Sequence, residues 1–229
     1  MGRVHREVTR QLDQIGPQTR KRAHELLART GRVLSQQTKD KHKLKLYALH
    51  APEVECISKG KARTPYEFGV KVSVATPLNE GLVGMRSMPG NPYDGHTLVE
   101  TLEQVGILAE RTPRTAIVDK GYRGVEVDGV RIPRSGQRRG ITSTLKAMIK
   151  RRSAIEPTIG HMKMDGRLGR NPLKGVFGDA VHAVLCGAGH NRRLLIKKLR
   201  LFCADIRSAL GRLTVALLHA CDSVRLNAA

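Results

Sequence analysis

The chain has 229 residues, enough for one substantial core with a smaller appendage. Its 41 Lys and Arg against 20 Asp and Glu give a formal net charge of +21, far beyond what solubility requires, so a polyanion is the expected partner. No apolar run is long enough to span a bilayer and no basic-then-apolar start reads as a secretory signal, which disfavours a membrane and favours nucleic acid.

Residues 3–37 carry apolar positions at helical spacing: Val4, Val8, Leu12 and Ile15, then Ala23, Leu26, Leu27 and Val33. Gly16-Pro17 interrupts them, so two helices are expected, with Gly16 ending the first and Pro17 in the opening turn of the second. Their outer faces are rich in Arg, Lys and His, a pattern that fits a solvated basic face and also a DNA contact. After a basic linker at 39–45, the composition turns to β-branched and aromatic residues. Residues 66–76 alternate as one half-buried strand, with Phe68, Val70, Val72 and Val74 on one face, and residues 82–88 form its hairpin partner across the turn at 77–81. Residues 54–57 offer one more short strand.

Residues 94–106 read as a helix capped by Asp94 or Thr97, with Leu98, Leu102 and Val105 inward. Ala116, Ile117 and Val118 then make a buried strand that ends in Asp119 and Gly121. Asp119 is either a turn cap or a ligand group, since ligands and metals collect at the C-terminal ends of strands in open α/β sheets. A short strand at 125–132 and a basic loop at 133–140 follow. Residues 142–164 are expected to form one helix, capped by Ser143 or Thr144 and kinked at Glu156 by Pro157. Two helices, at 179–202 and 204–224, close the chain, the first with Arg192, Arg193, Lys197, Lys198 and Arg200 bunched near its end.

Cys56, Cys186, Cys203 and Cys221 lack metal-site spacing and read as reduced, mostly buried thiols. Aromatics are 3% of the chain with no Trp, so backbone phosphates are the expected contact in preference to stacked bases.

One acid stands out by its neighbourhood. No acidic residue occurs between Gly129 and Ile155, while Arg131, Arg134, Arg138, Arg139, Lys146, Lys150, Arg151 and Arg152 accumulate, and Glu156 ends that run. It is either the i to i+4 partner of Arg152 on a solvated helix or a metal-binding carboxylate among side chains that grip phosphates.

Asp119-Lys-Gly-Tyr-Arg, followed by Arg152-x3-Glu156-x6-Lys163, resembles the DDE transposases of bacterial insertion sequences. The segment Pro-Gly-Asn-x-x-Asp-Gly-His-Thr-Leu from Pro89 to Leu98 is similar to that family as well, and the likeness covers most of residues 45–200. The family pattern around the last acid is Tyr-x2-Arg-x3-Glu-x6-Lys, and here the Tyr position holds Ile149. The resemblance implies an α/β fold: a partial ribonuclease H-like mixed sheet flanked by helices. It implies a basic helical segment and linker at 1–45, the transposase domain at 46–175, and C-terminal helices at 176–229 packed on it. It also implies three carboxylates holding two Mg2+ (or Mn2+) ions for in-line cleavage and strand transfer at transposon ends. Asp119 would be the second catalytic and metal-binding acid and Glu156 the third. Arg152, Lys163, Tyr122, Arg123, Lys150, Arg151, Arg138 and Arg139 would contact DNA, Arg152 and Lys163 from the face of Glu156 if the helix is continuous. The implied partners are double-stranded DNA, at transposon ends and target, and a second copy or a full-length transposase. No membrane and no small-molecule cofactor are expected, and the place of action is bacterial cytoplasm, on DNA.

The family carries its first acid on the first core strand, upstream of the hairpin. Here the upstream Asp residues are Asp13, on an expected helix, and Asp40, in the basic linker, while Glu53 and Glu55 beside the short strand are weak substitutes. The expectation is an N-terminally truncated transposase with its first core strand missing, pairing edges exposed, and cleavage very slow or absent. The alternative is a non-catalytic DNA-binding protein that occupies transposon ends or inhibits the full-length enzyme. A basic RNA-associated protein fits the charge but leaves Asp119 and Glu156 unexplained.

Overall fold

The computed structural model describes residues 2–37, 45–60, 62–78, 81, 84–137 and 139–226, with side chains described through residue 216. Helices α1 (Gly2–Gln11) and α2 (Pro17–Ser35) form an N-terminal pair. As the sequence led us to expect, they part at Gly16, which is extended, and Pro17 takes the first position of α2, where its missing N–H costs nothing. His5 Nε2 lies 3.1 Å from the Leu27 carbonyl, and Arg20 Nη2 donates to the carbonyls of Asp13 and Ile15 at 2.9 and 3.2 Å. The linker expected at 39–45 lies almost wholly outside the described residues.

The strands form two antiparallel two-stranded sheets among the described residues. β1 (Glu55–Ser58) pairs with β2 (Tyr66–Gly69), and β3 (Lys71–Ala75) pairs with β4 (Gly84–Met88). The single strand expected over 66–76 is thus split in two. Gly69 has φ of 151°, a conformation open to glycine and rarely to other residues, and it turns the chain so that its two halves find different partners. Phe68 leaves the core as a result: it is 63% exposed and packs on Tyr47, with ring centroids 5.5 Å apart. Val72 and Val74 keep the inward role. Among the described residues, parallel pairing is confined to the isolated bridges Thr115–Arg131 and Val118–Arg134, so residues 116–118 run beside 131–134 without forming a regular strand.

Two apolar clusters hold these pieces together. Met85, Met162 and Cys186, with Val72, Val74, Ile159 and Leu168 around them, join the β3–β4 hairpin to two later helices, one carrying Ile159 and Met162 and the other Cys186. Leu98, Leu102 and Val118, with Ala116, Tyr122, Val125, Val127, Val130 and Ile132, join helix α3 (Leu98–Ala109) to the segment that carries Asp119. Removing this apolar surface from water is the driving force in both.

Four helical expectations are corrected. The turn Asp94–Thr97 is a 3-10 turn ahead of α3, and Thr97 makes no side-chain cap. Thr142, one residue before the expected Ser143 or Thr144, caps α4 (Ser143–Arg151) by accepting from the Leu145 amide at 3.2 Å. The long helix expected over 142–164 breaks at a 3-10 turn, Arg152–Ala154, before α5 (Ile155–Met164) begins. The break falls earlier than Glu156 because Pro157 clashes with a carbonyl one turn back and lacks an N–H, so it is tolerated only in an opening turn. At the C-terminus, the two expected helices are one, α6 (Gly175–Leu226), of 52 residues. Of the thiols whose side chains are described, Cys186 is buried, Cys56 half-buried and Cys203 exposed. Among the described residues no helix is long and apolar enough to cross a membrane.

Candidate active site

Asp119 follows Val118 at the end of the extended segment and caps the 3-10 turn Lys120–Tyr122. Its Oδ1 accepts from the Lys120 amide at 2.8 Å and from the Ser135 hydroxyl at 2.7 Å. Its Oδ2 lies 3.0 Å from Nη2 of Arg152. The Ser135 hydrogen bond, with the Lys120 amide and the Arg152 guanidinium, outweighs partial burial and holds the Asp119 carboxyl below its ordinary range. The cap and the charged group thus coexist in one side chain.

A second carboxylate stands beside this turn. Asp94 Oδ1 pairs with Lys71 Nζ at 3.1 Å, and the same ammonium donates to the Pro92 carbonyl at 2.5 Å. A Cβ at Gly121 would come within 2.5 Å of Asp94 Oδ2, so glycine at that position is what lets the Asp119 turn close over Asp94. The sequence offers Asp94, with Thr97, as a helix cap. The neighbouring resemblance to a family motif marked the segment but not the Lys71 partner, 23 residues away.

Glu156 lies in the first turn of α5, exposed, with no hydrogen bond or ion pair among the described residues. Arg152, four residues before it, turns to Asp119 instead, its own side chain 19% exposed. Lys163 is drawn elsewhere: its Nζ is 3.7 Å from Glu67 on β2, which also takes Lys59 at 3.1 Å. Burial pulls the Glu67 carboxyl upward, but the two lysines prevail and leave it below its ordinary value. The 3-10 turn ahead of α5 parts Arg152 from Glu156, while Lys163, on α5 with Glu156, turns its ammonium to Glu67.

Of the remaining residues expected to meet DNA, Lys150 and Arg151 are exposed in the last turn of α4, and Arg123 and Arg139 are exposed in loops. Tyr122 is half-buried against the Leu98 cluster, which makes it a packing residue of the turn. Arg138 lies outside the described residues. Glu53 and Glu55 are engaged as acceptors, Glu53 from the Gly175 amide and Glu55 from the Gly90 amide, each at 2.6 Å. No group of three His, Cys, Asp or Glu among the described residues could hold a metal ion. Hard divalent cations take several oxygen ligands, and a carboxylate already committed to Arg152, Ser135 and a backbone amide offers few. The donor set among the described residues does not fit a pair of divalent ions.

The family model of the transposase DDE domain matches residues 37–188, a span that contains Asp94, Asp119, Arg152, Glu156 and Lys163. No curated protein and no solved structure matches the chain. With most of its length matched, and with the Asp119 turn and the Arg152 to Lys163 segment inside the match, the chain belongs to the transposase DDE domain family.

Proposed function

We propose that this chain is a DNA-binding member of the transposase family whose acids do not assemble a two-metal centre, so that strand cleavage by it is very slow or absent. The observation that carries this reading is the Asp119–Arg152 pair at 3.0 Å, which neutralises one acid of the expected set while Glu156 stands without a partner among the described residues. Among the described residues, no Asp stands on a strand ahead of β2; the Asp residues of that part of the chain are Asp13, on the 3-10 turn after α1, and Asp40, outside the described residues. In this reading the transposase domain at 46–175 is a partial ribonuclease H-like domain, flanked by the basic segment at 1–45 and the C-terminal helix.

Binding rests on charge. Lys150, Arg151, Arg123 and Arg139 are exposed, and the net charge is +21. Phosphate contacts of this kind release counterions and give strong, salt-dependent, weakly sequence-specific affinity. The products of such binding are occupied transposon ends, or mixed assemblies with a full-length transposase.

Fluorescence anisotropy on a labelled duplex tests this. Binding is expected to persist in EDTA and in Asp119→Ala and Glu156→Ala, with no nicking, and to weaken by about a thousandfold between 50 and 200 mM salt if roughly six phosphates are contacted. Mg2+-dependent cleavage of a duplex carrying the element's own end, abolished by Asp119→Ala, would refute the reading. So would loss of binding in EDTA.

A further inference from the structure

The basic cluster midway along α6 takes no part in the site described above. Between Asp179 and Asp205 the chain carries no acidic residue, while Arg192, Arg193, Lys197, Lys198 and Arg200 stand there together. At about 100° per residue, Arg193, Lys197, Arg200 and Arg207 fall on one face of the helix. They place a cation every one or two turns over a length of about 21 Å. All four are exposed, and none is in an ion pair among the described residues. Asp205 sits about 120° round the helix from Arg193, off this face.

The same face has a definite root. His182, Cys186 and His190 precede Arg193 on it at steps of four, four and three residues, and Cys186 is packed in the cluster with Met85 and Met162. Arg193 itself lies at the turn after α5: a Cβ on Gly166 would stand 3.3 Å from its Nη2. Burial, then the nearby Arg193 and His161, hold the His190 imidazole below its ordinary value, and Asp165 is already engaged by His161 at 3.1 Å. The cations therefore gather where α6 leaves its packed beginning, with no acid on the stripe to answer them.

Such a stripe attracts a polyanion whose charge repeats along a line. Each strand of duplex DNA carries a phosphate about every 3.4 Å, so about six phosphates of one strand match the length from Arg193 to Arg207. No aromatic side chain lies on the stripe, which suits phosphates and not stacked bases. A bilayer suits it less: at its root this face is covered by the β3–β4 hairpin and α5, so a flat surface laid along the stripe would meet them first, whereas a duplex can cross the helix. The stripe also begins beyond residue 188, where the match to the family domain ends. We propose that Arg193, Lys197, Arg200 and Arg207 form a second phosphate-binding track for duplex DNA, on a different element from Lys150 and Arg151. This track rests on the DNA-binding reading above and adds a surface to it.

The test is the salt dependence of binding of the full chain to a labelled duplex, followed by fluorescence anisotropy. The double variant Lys197→Gln, Arg200→Gln keeps helix propensity and removes two phosphate contacts, so the slope of log affinity against log salt is expected to fall by about two. Arg192→Gln, Arg212→Gln is the control: it removes the same charge from the same helix, about 100° to either side of Arg193, and is expected to keep the parent slope. Circular dichroism unchanged in both doubles will establish that α6 is intact. Equal slopes in the two doubles, or no change in the first, would overturn the track. A fall in slope in the separate double Lys150→Gln, Arg151→Gln would then show that the DNA-binding reading survives without it. Release of the protein from phosphatidylglycerol vesicles by the first double, with its DNA slope intact, would assign the stripe to a lipid surface and overturn the track as well. A parent that binds no duplex would remove both the reading and the track.

Discussion

Asp119 borders the cluster of Leu98, Leu102 and Val118, with both carboxylate oxygens engaged, whereas Glu156 rides on the helix that carries Ile159 and Met162 into the other cluster, with neither engaged. The two acids belong to different packing units, and Arg152 reaches from the second to the first. The contrast teaches that two carboxylates at family spacing are unequal in construction. One is fixed by hydrogen bonds from its own turn and from Ser135, and the other takes its position from a helix start alone.

The largest expected effect lies beneath Glu156. Met162 is fully buried at 0% exposure, and Met162→Ala should cost about 2–5 kcal/mol in urea unfolding, as large-to-small core changes do. An unchanged midpoint would mean that α5 is not anchored as described. Next is Asp119→Ala, which removes a cap and leaves Arg152 without its carboxylate; a loss of about 1–2 kcal/mol is expected by the same measurement. Acid should reproduce part of that loss. Because the folded carboxyl titrates below its ordinary value of 3.8, its contribution to stability is present above that pH and disappears as pH falls through the lower, folded value. Asp119→Asn should therefore show a shallower loss of stability below about pH 4 than the parent, and identical acid curves would remove the Arg152 and Ser135 contacts from the account. The smallest effect belongs to Glu156→Ala, expected within about 0.5 kcal/mol of the parent. A clear destabilisation there would erase the contrast between the acids.

Much of the framework was legible where local chemistry decides. Gly16-Pro17 marked the end of one helix and the start of the next, and the alternation of Val72 and Val74 against residues 84–88 marked the β3–β4 hairpin. The resemblance around Asp119 and Glu156 led to the family found for residues 37–188. What escaped was set by distant partners. Ser135 reaches Asp119 across 16 residues and Lys71 reaches Asp94 across 23, and no spacing rule announces either. The split at Gly69 followed from a backbone angle, since glycine in a strand pattern is compatible with a bulge as well as with a break. The C-terminal helices were divided at Ala204 although neither Gly nor Pro stands there, and α6 runs through without interruption.

The β1–β2 hairpin contributes no residue to either apolar cluster. Beyond the Tyr47–Phe68 contact, it is moored by polar ties: Glu55 to the Gly90 amide, Asn91 to the Cys56 carbonyl, and the Lys163 ammonium at Glu67. Such ties resist local opening weakly, and the last of them is screened by salt. In hydrogen exchange the amides of Glu55–Ser58 and Tyr66–Gly69 should consequently trade with solvent well before those of Lys71–Ala75, and faster still as ionic strength rises. The hairpin would open as a unit by itself while the rest of the fold stays closed.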